Sequence, residues 1–93
     1  MEPFSNLTKN DGVVWQRVDD SVIVIHLRSN EIYSLNVTAA RFWELLEDGR
    51  EITEIRSILQ SEFEITDDEL DTEIAALVQS LVSANLVHGN HRG

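Results

Sequence analysis

Three histidines are the only side chains of this sequence that titrate near neutral pH without perturbation, so their placement is the first test for chemistry. His26 sits in the apolar run from Val22 to Leu27 and reads as a partly buried structural imidazole. His88 and His91 stand close together in the tail HGNHRG, but a pair of imidazoles falls short of the ligand set of a zinc site. The absence of cysteine removes thiolate ligands, disulfides and cysteine nucleophiles together, and suits a reducing compartment. No metal and no cofactor is expected.

The carboxylates are numerous but poorly placed for catalysis. Asp67, Asp68, Glu69, Asp71 and Glu73 form a dense cluster without the glycine and loop register of a calcium-binding hand. They fall in the first turns of a helix, where negative charge suits the helix dipole. Their other reading is attraction for a basic peptide segment. No serine lies in a G-x-S-x-G elbow and no glycine-rich loop could cradle phosphate. Nothing places two carboxylates in an apolar cleft, so the chain does not read as an enzyme.

Bulk properties narrow the partners. Seventeen acids against seven bases give a formal charge of −10. Such a surface repels phosphate backbones and anionic membranes, which excludes nucleic acid and membrane as partners. The first residues lack the basic start and apolar run of a signal peptide. The longest apolar runs span about five residues, against roughly 18 for a bilayer crossing. A cytoplasmic location is expected. Ninety-three residues allow one domain, with 42% hydrophobic content enough for a single core.

The elements that must position any site follow from periodicity. Residues 1–12, with Pro3 and Gly12, read as a flexible N-terminal arm. VVWQRV (13–18) and SVIVIHLR (21–28) are β-branched and aromatic, with Asp19-Asp20 as the turn between them. Both faces of the second run are apolar, as in a central strand. Ser29-Asn30 forms the next turn, and a third strand covers Glu31 to Asn36. A helix starts at or just before Thr38, capped by Asn36 or Thr38, with Phe42, Leu45 and Leu46 at helical spacing and Gly49 just past its end. Phe42 and Trp43 point about 100° apart, so at least one faces the sheet. A second helix begins at Thr53 and ends near Glu64. The third opens on the capping box from Thr66 to Glu69, and Leu70, Ile74, Leu77, Val78, Leu81 and Val82 give it a wide apolar stripe. Asn85 ends it, Leu86-Val87 returns as a short strand or packed tail, and residues 89–93 read as frayed. The layout is α+β: a three-stranded antiparallel sheet followed by three helices.

This pattern resembles the precursor-peptide recognition elements typified by the pyrroloquinoline-quinone biosynthesis chaperone. The residues that carry the resemblance are Ile32-Tyr33-Ser34-Leu35-Asn36, Thr38-Ala39, Phe42-Trp43-Glu44-Leu45-Leu46 and Asp48-Gly49. Ile52-Thr53-Glu54-Ile55, Leu81 and Asn85-Leu86-Val87 agree as well. It covers about residues 13–88, the expected domain.

The resemblance implies a winged-helix-like fold that binds the leader segment of a ribosomally made precursor peptide. The leader is expected to add as an antiparallel strand beside the third strand, in a groove bordered by the third helix. The implied site is Glu31, Ile32, Tyr33, Ser34, Leu35 and Asn36 on the strand side, with Leu70, Glu73, Ile74, Leu77 and Leu81 on the helix side. Glu69, Asp71 and Glu73 would form an acidic rim suited to a basic or neutral leader. Within the family the chain resembles the stand-alone leader-binding subunit of lasso-peptide clusters. That subunit works with a separate cysteine protease and an ATP-dependent macrolactam cyclase, on leaders carrying Tyr-x-x-Pro-x-Leu. Three readings stay open beside it: a chaperone serving a radical enzyme, a self-associating module, and a winged-helix transcription factor. The last is disfavoured because residues 61–73 carry seven acids and no Lys or Arg.

Overall fold

β-branched alternation through residues 13–35, then helical periodicity to residue 83, produces a sheet with helices on one face. The computed structural model describes residues 6–90. In chain order the elements are β1 (Asn6–Lys9), β2 (Val13–Val18), β3 (Ser21–His26), β4 (Glu31–Leu35), α1 (Val37–Glu47), α2 (Ile52–Glu62), α3 (Asp67–Ser83) and β5 (Val87–Asn90). The fold is α+β, with an antiparallel sheet ordered β2-β3-β4 and a separate pair β1-β5.

Asp19 takes φ 57° in the β2–β3 turn and Asn30 takes φ 59° in the β3–β4 turn, the left-handed region that short polar side chains tolerate. Both strands after these turns end slightly early. Leu27 to Asn30 are consumed by the turn, where the Asn30 N–H donates to the His26 carbonyl at 2.8 Å, and Asn36 is taken by a helix cap. The register aligns Trp15, Val24 and Tyr33 across the sheet, and Arg17, Val22 and Leu35 beside them. This inner face packs on α1. Val22 and Val24 are fully buried, and His26 is half-buried on the same face between Val13 and Glu31.

Helix α1 is sandwiched, which explains why both of its adjacent aromatics are at 0% exposure rather than one. Trp43 meets Trp15 of the sheet edge-on, with centroids 6.3 Å apart and planes at 75°. Phe42 turns the other way, towards Leu59 and Leu70 of α2 and α3. Outside the core, Arg17 bonds Glu44, and Arg41 grips Glu62 through two bonds of 2.9 and 2.8 Å, tying α1 to β2 and α2. The Arg41 hydrogen bond holds the Glu62 carboxyl below its ordinary 4.5. That contribution is therefore present above pH 4.5 and fades as pH falls through the lower folded value.

The helix ends obey local rules. Gly49 at φ 88° closes α1 by donating to Leu46, while the Arg50 N–H reaches Leu45. Asn85 at φ 60° closes α3 in the same way, donating to Val82 with the Leu86 N–H on Leu81. The Thr66 hydroxyl accepts from the Glu69 N–H at 3.2 Å, the first half of the expected capping box. It also donates to the Glu69 carboxylate at 3.1 Å, where a full box would have that carboxylate accept the Thr66 backbone N–H. Helix α2 begins at Ile52, one residue before its expected start, and Ile52 is buried.

The ends of the chain depart from the sequence reading. Residues 6–9, expected within a flexible arm, pair antiparallel with residues 87–90, of which 89 and 90 were expected to be frayed. Leu7, 5% exposed, and Val87, 2% exposed, join the core. Asn10 secures the clasp: its N–H donates to the Leu86 carbonyl at 3.0 Å and its side-chain amide to Asn85 at 2.7 Å. A strand of four mostly polar residues has no local signal when its partner lies at the far end of the chain. If Leu7 is a core anchor, Leu7→Ala lowers unfolding free energy by at least about 2 kcal/mol in urea denaturation. A loose arm would give no change.

Candidate functional site

The open edge of β4 runs into Asn36, which lines a cavity shared with α1, α2 and α3, while Glu31 to Leu35 lie outside that lining. Among the described residues, β4 pairs with β3 and no strand covers its other edge. Which backbone groups face out follows from alternation. The Leu27 N–H donates to the Gly12 carbonyl at 2.8 Å, so odd-numbered β3 residues turn their amides towards β2 and even-numbered ones towards β4. Val22, Val24 and His26 therefore bond Leu35, Tyr33 and Glu31, their register partners. The N–H and C=O of Ile32 and Ser34 are left pointing away from the sheet.

Side chains of β4 divide the other way. Ile32 and Ser34 project from the outer face, where Ile32 is 67% exposed. Tyr33 and Leu35 turn inward. Leu35 is a core residue at 8% exposure, while Tyr33 is half-buried with its hydroxyl donating to Glu31 at 3.0 Å. Partial burial and that bond raise the Tyr33 pKa above its ordinary 10.0, so the phenol stays a donor at neutral pH.

Next to this edge lies a cavity of about 200 Å³ between the start of α1 and the middle of α3. Asn36, Thr38 and Ala39 form one wall, Glu73, Ile74, Ala76 and Leu77 the other, and Phe42, Leu59 and Leu70 the floor. Asn36 is fixed there because its side-chain oxygen accepts the Ala39 N–H at 3.0 Å. The cavity thus gathers Asn36, Leu70, Glu73, Ile74 and Leu77 from the expected site. Leu81 is absent from it; at 2% exposure it packs in the core. Thr38, Ala39, Phe42, Leu59 and Ala76 escaped the sequence reading as site residues. The wide apolar stripe of α3 gave no means of separating groove from core, and the α1 residues read as cap and core.

The acidic rim is thinner than expected. Asp71 bonds Arg56 on α2, and that hydrogen bond holds its carboxyl below the ordinary 3.8. Glu69 serves the helix cap, and Asp67 bonds Gln60 and faces Arg56. Glu73 alone of the carboxylates lines the cavity. The histidines stand apart from it: His88 bonds Asn10 beside the clasp, and His91 lies outside the described residues. Among the described residues no group of three His, Cys, Asp or Glu could hold a metal ion, and no helix is long and apolar enough to cross a membrane.

Comparison with known proteins places this geometry. No curated protein matches the sequence at a significant level. Two solved structures superpose on it closely. One is TbiB1 in complex with the TbiA(beta) leader peptide, with TM-score 0.83 and 25% identity over 90% of this chain and 98% of that one. The other is a lasso peptide synthetase B1 complexed with the leader peptide, with TM-score 0.81 and 27% identity over 90% and 99%. The family model described as coenzyme PQQ synthesis protein D (PqqD) matches residues 21–87, from β3 to the start of β5. The chain therefore belongs to the PqqD family, with a fold shared by leader-bound subunits of lasso-peptide synthesis.

Proposed function

We propose that this protein is a non-catalytic adaptor that binds the leader segment of a ribosomally made precursor peptide. The observation that carries the reading is the open β4 edge, with Ile32 and Ser34 offering backbone groups beside an apolar cavity. An extended peptide can satisfy those groups as an added antiparallel strand while its alternate side chains enter the cavity. Main-chain bonds then supply affinity that tolerates sequence, and the cavity supplies selection. The two leader-bound structures of similar fold support this assignment.

The adaptor's contribution is effective concentration. A leader held by its own strand makes attack on the adjacent segment nearly intramolecular for an enzyme bound to the same complex. In the lasso-peptide reading the enzymes served are a cysteine protease that removes the leader and an ATP-dependent macrolactam cyclase. The alternative within the family is delivery of a precursor to a radical enzyme, which shares the binding step and differs in the partner. DNA recognition through α3 is disfavoured by Asp67, Asp68 and Glu69 in its first turn, which oppose phosphate.

Fluorescence anisotropy with a labelled peptide carrying Tyr-x-x-Pro-x-Leu tests the assignment. Binding is expected, and replacement of Tyr, Pro and Leu by alanine should abolish it. No binding of the parent peptide would sink the lasso-type reading. Ser34→Pro removes an outward N–H that makes no ladder bond, so the variant should fold and bind at least about tenfold more weakly. Tyr33→Pro breaks the β3–β4 ladder and should lose the fold instead. Leu77 is half-buried on the cavity wall, so Leu77→Asp should lose peptide binding while its circular dichroism stays native. Leu81→Asp, at a core position, should unfold.

A further inference from the structure

The cavity beside β4 contains a single ionisable group, and its isolation has a consequence for the ligand. Glu73 is exposed on the wall formed by α3 and has no ion-pair or hydrogen-bond partner among the described residues. Most described cations are engaged elsewhere, and Arg28 stands beside Gly12 away from the cavity lining. Arg17 and Arg41 serve Glu44 and Glu62, Arg50 serves Asp48 and Glu54, and Arg56 serves Asp71. Lys9 donates to the Val13 carbonyl at 2.8 Å. No Lys or Arg lines the cavity, whose remaining walls are aliphatic and aromatic apart from Asn36 and Thr38.

A peptide whose side chain fills the cavity meets this wall and withdraws water from Glu73. Partial desolvation of a carboxylate is costly unless the incoming chain supplies a donor or a positive charge. A carboxylate on the ligand would add repulsion to that cost, in a molecule already at formal charge −10. Side chains of an added strand that face α3 recur every second residue, roughly 7 Å apart. A side chain two positions from the aliphatic anchor can therefore reach the rim while the anchor fills the cavity.

We propose that Glu73 is a specificity-determining residue that selects leaders bearing a Lys or Arg two residues from the aliphatic side chain seated in the cavity. The inference rests on the adaptor reading and adds the charge class of its ligand. Glu73 acts by attraction across the rim, which speeds encounter and excludes acidic segments of otherwise suitable shape.

The experiment is a peptide panel on the Tyr-x-x-Pro-x-Leu frame. Lys, Gln or Glu is placed in turn at each x and at the two positions after Leu, and affinities are read by anisotropy at low and physiological salt. Wild-type protein should show the preference at the second position after Leu, two residues from the anchor, where Lys binds about tenfold tighter than Glu, with the gap narrowing as salt rises. A preference only at another position overturns the proposed spacing. Glu73→Gln should abolish that preference while still binding the Gln peptide, and Glu73→Lys should reverse it. Binding of all peptides with no charge preference, or a preference unchanged in Glu73→Gln, overturns the role of Glu73 and leaves the adaptor standing. Failure of every peptide to bind overturns both.

Discussion

The passage from β4 into α1 at Asn36 is the constraint on which the rest depends. The strand ends at Leu35 and the helix begins at Val37, so one residue must terminate a ladder and start a helix. Asn36 does this with an extended backbone at φ −73°, ψ −178° and a side chain that accepts the Ala39 N–H. Without a loop at this point, α1 has little freedom to rotate relative to the sheet. Its rotation decides that Trp43 turns to Trp15 while Phe42 turns to α2 and α3. That orientation in turn leaves Thr38 and Ala39 facing α3 across a gap. The small alanine and threonine keep the gap open, where bulkier side chains would fill it.

The same geometry separates structural from exposed chemistry. The interior of the described chain contains no buried charged residue, and ion pairs are confined to the outer surfaces where α1 and α2 meet their neighbours. Exposed pairs of this kind add little stability each, typically below about 1 kcal/mol. Their effect on the groove is indirect but larger: by engaging most of the cations in a chain with few, they leave the cavity with a carboxylate and no counter-ion.

Much of this arrangement was legible in the residues. The bounds of β2, the Asn36 cap, the Gly49 stop and the Thr66 capping box are short-range signals, and each is where its side-chain chemistry puts it. Long-range features were not legible. The β1–β5 pair joins residues 78 to 84 apart, and only its two buried positions, Leu7 and Val87, carry apolar side chains into the core. The division of the α3 stripe into cavity wall (Ile74, Leu77) and core (Leu81) depends on where α1 lies, which periodicity along α3 cannot express. Glu69 and Asp71 look equivalent to Glu73 in sequence; they differ because Thr66 and Arg56 happen to face them.

The clasp at the chain ends also has a mechanical meaning. Asn6 is the register partner of Asn90, so the described chain enters and leaves the domain at the same rung of one antiparallel ladder. Tension applied between the two ends loads that ladder like a zipper, opening its rungs in sequence towards Lys9 and Val87 rather than shearing them together. The first structure to yield under load is then β1–β5, beside Leu46 and Glu47 at the far end of α1. Eleven residues of helix, about 16 Å at the usual rise, separate that end from Asn36 and the cavity. Tension on the two chain ends is thus borne first by the clasp, at the end of α1 opposite the groove.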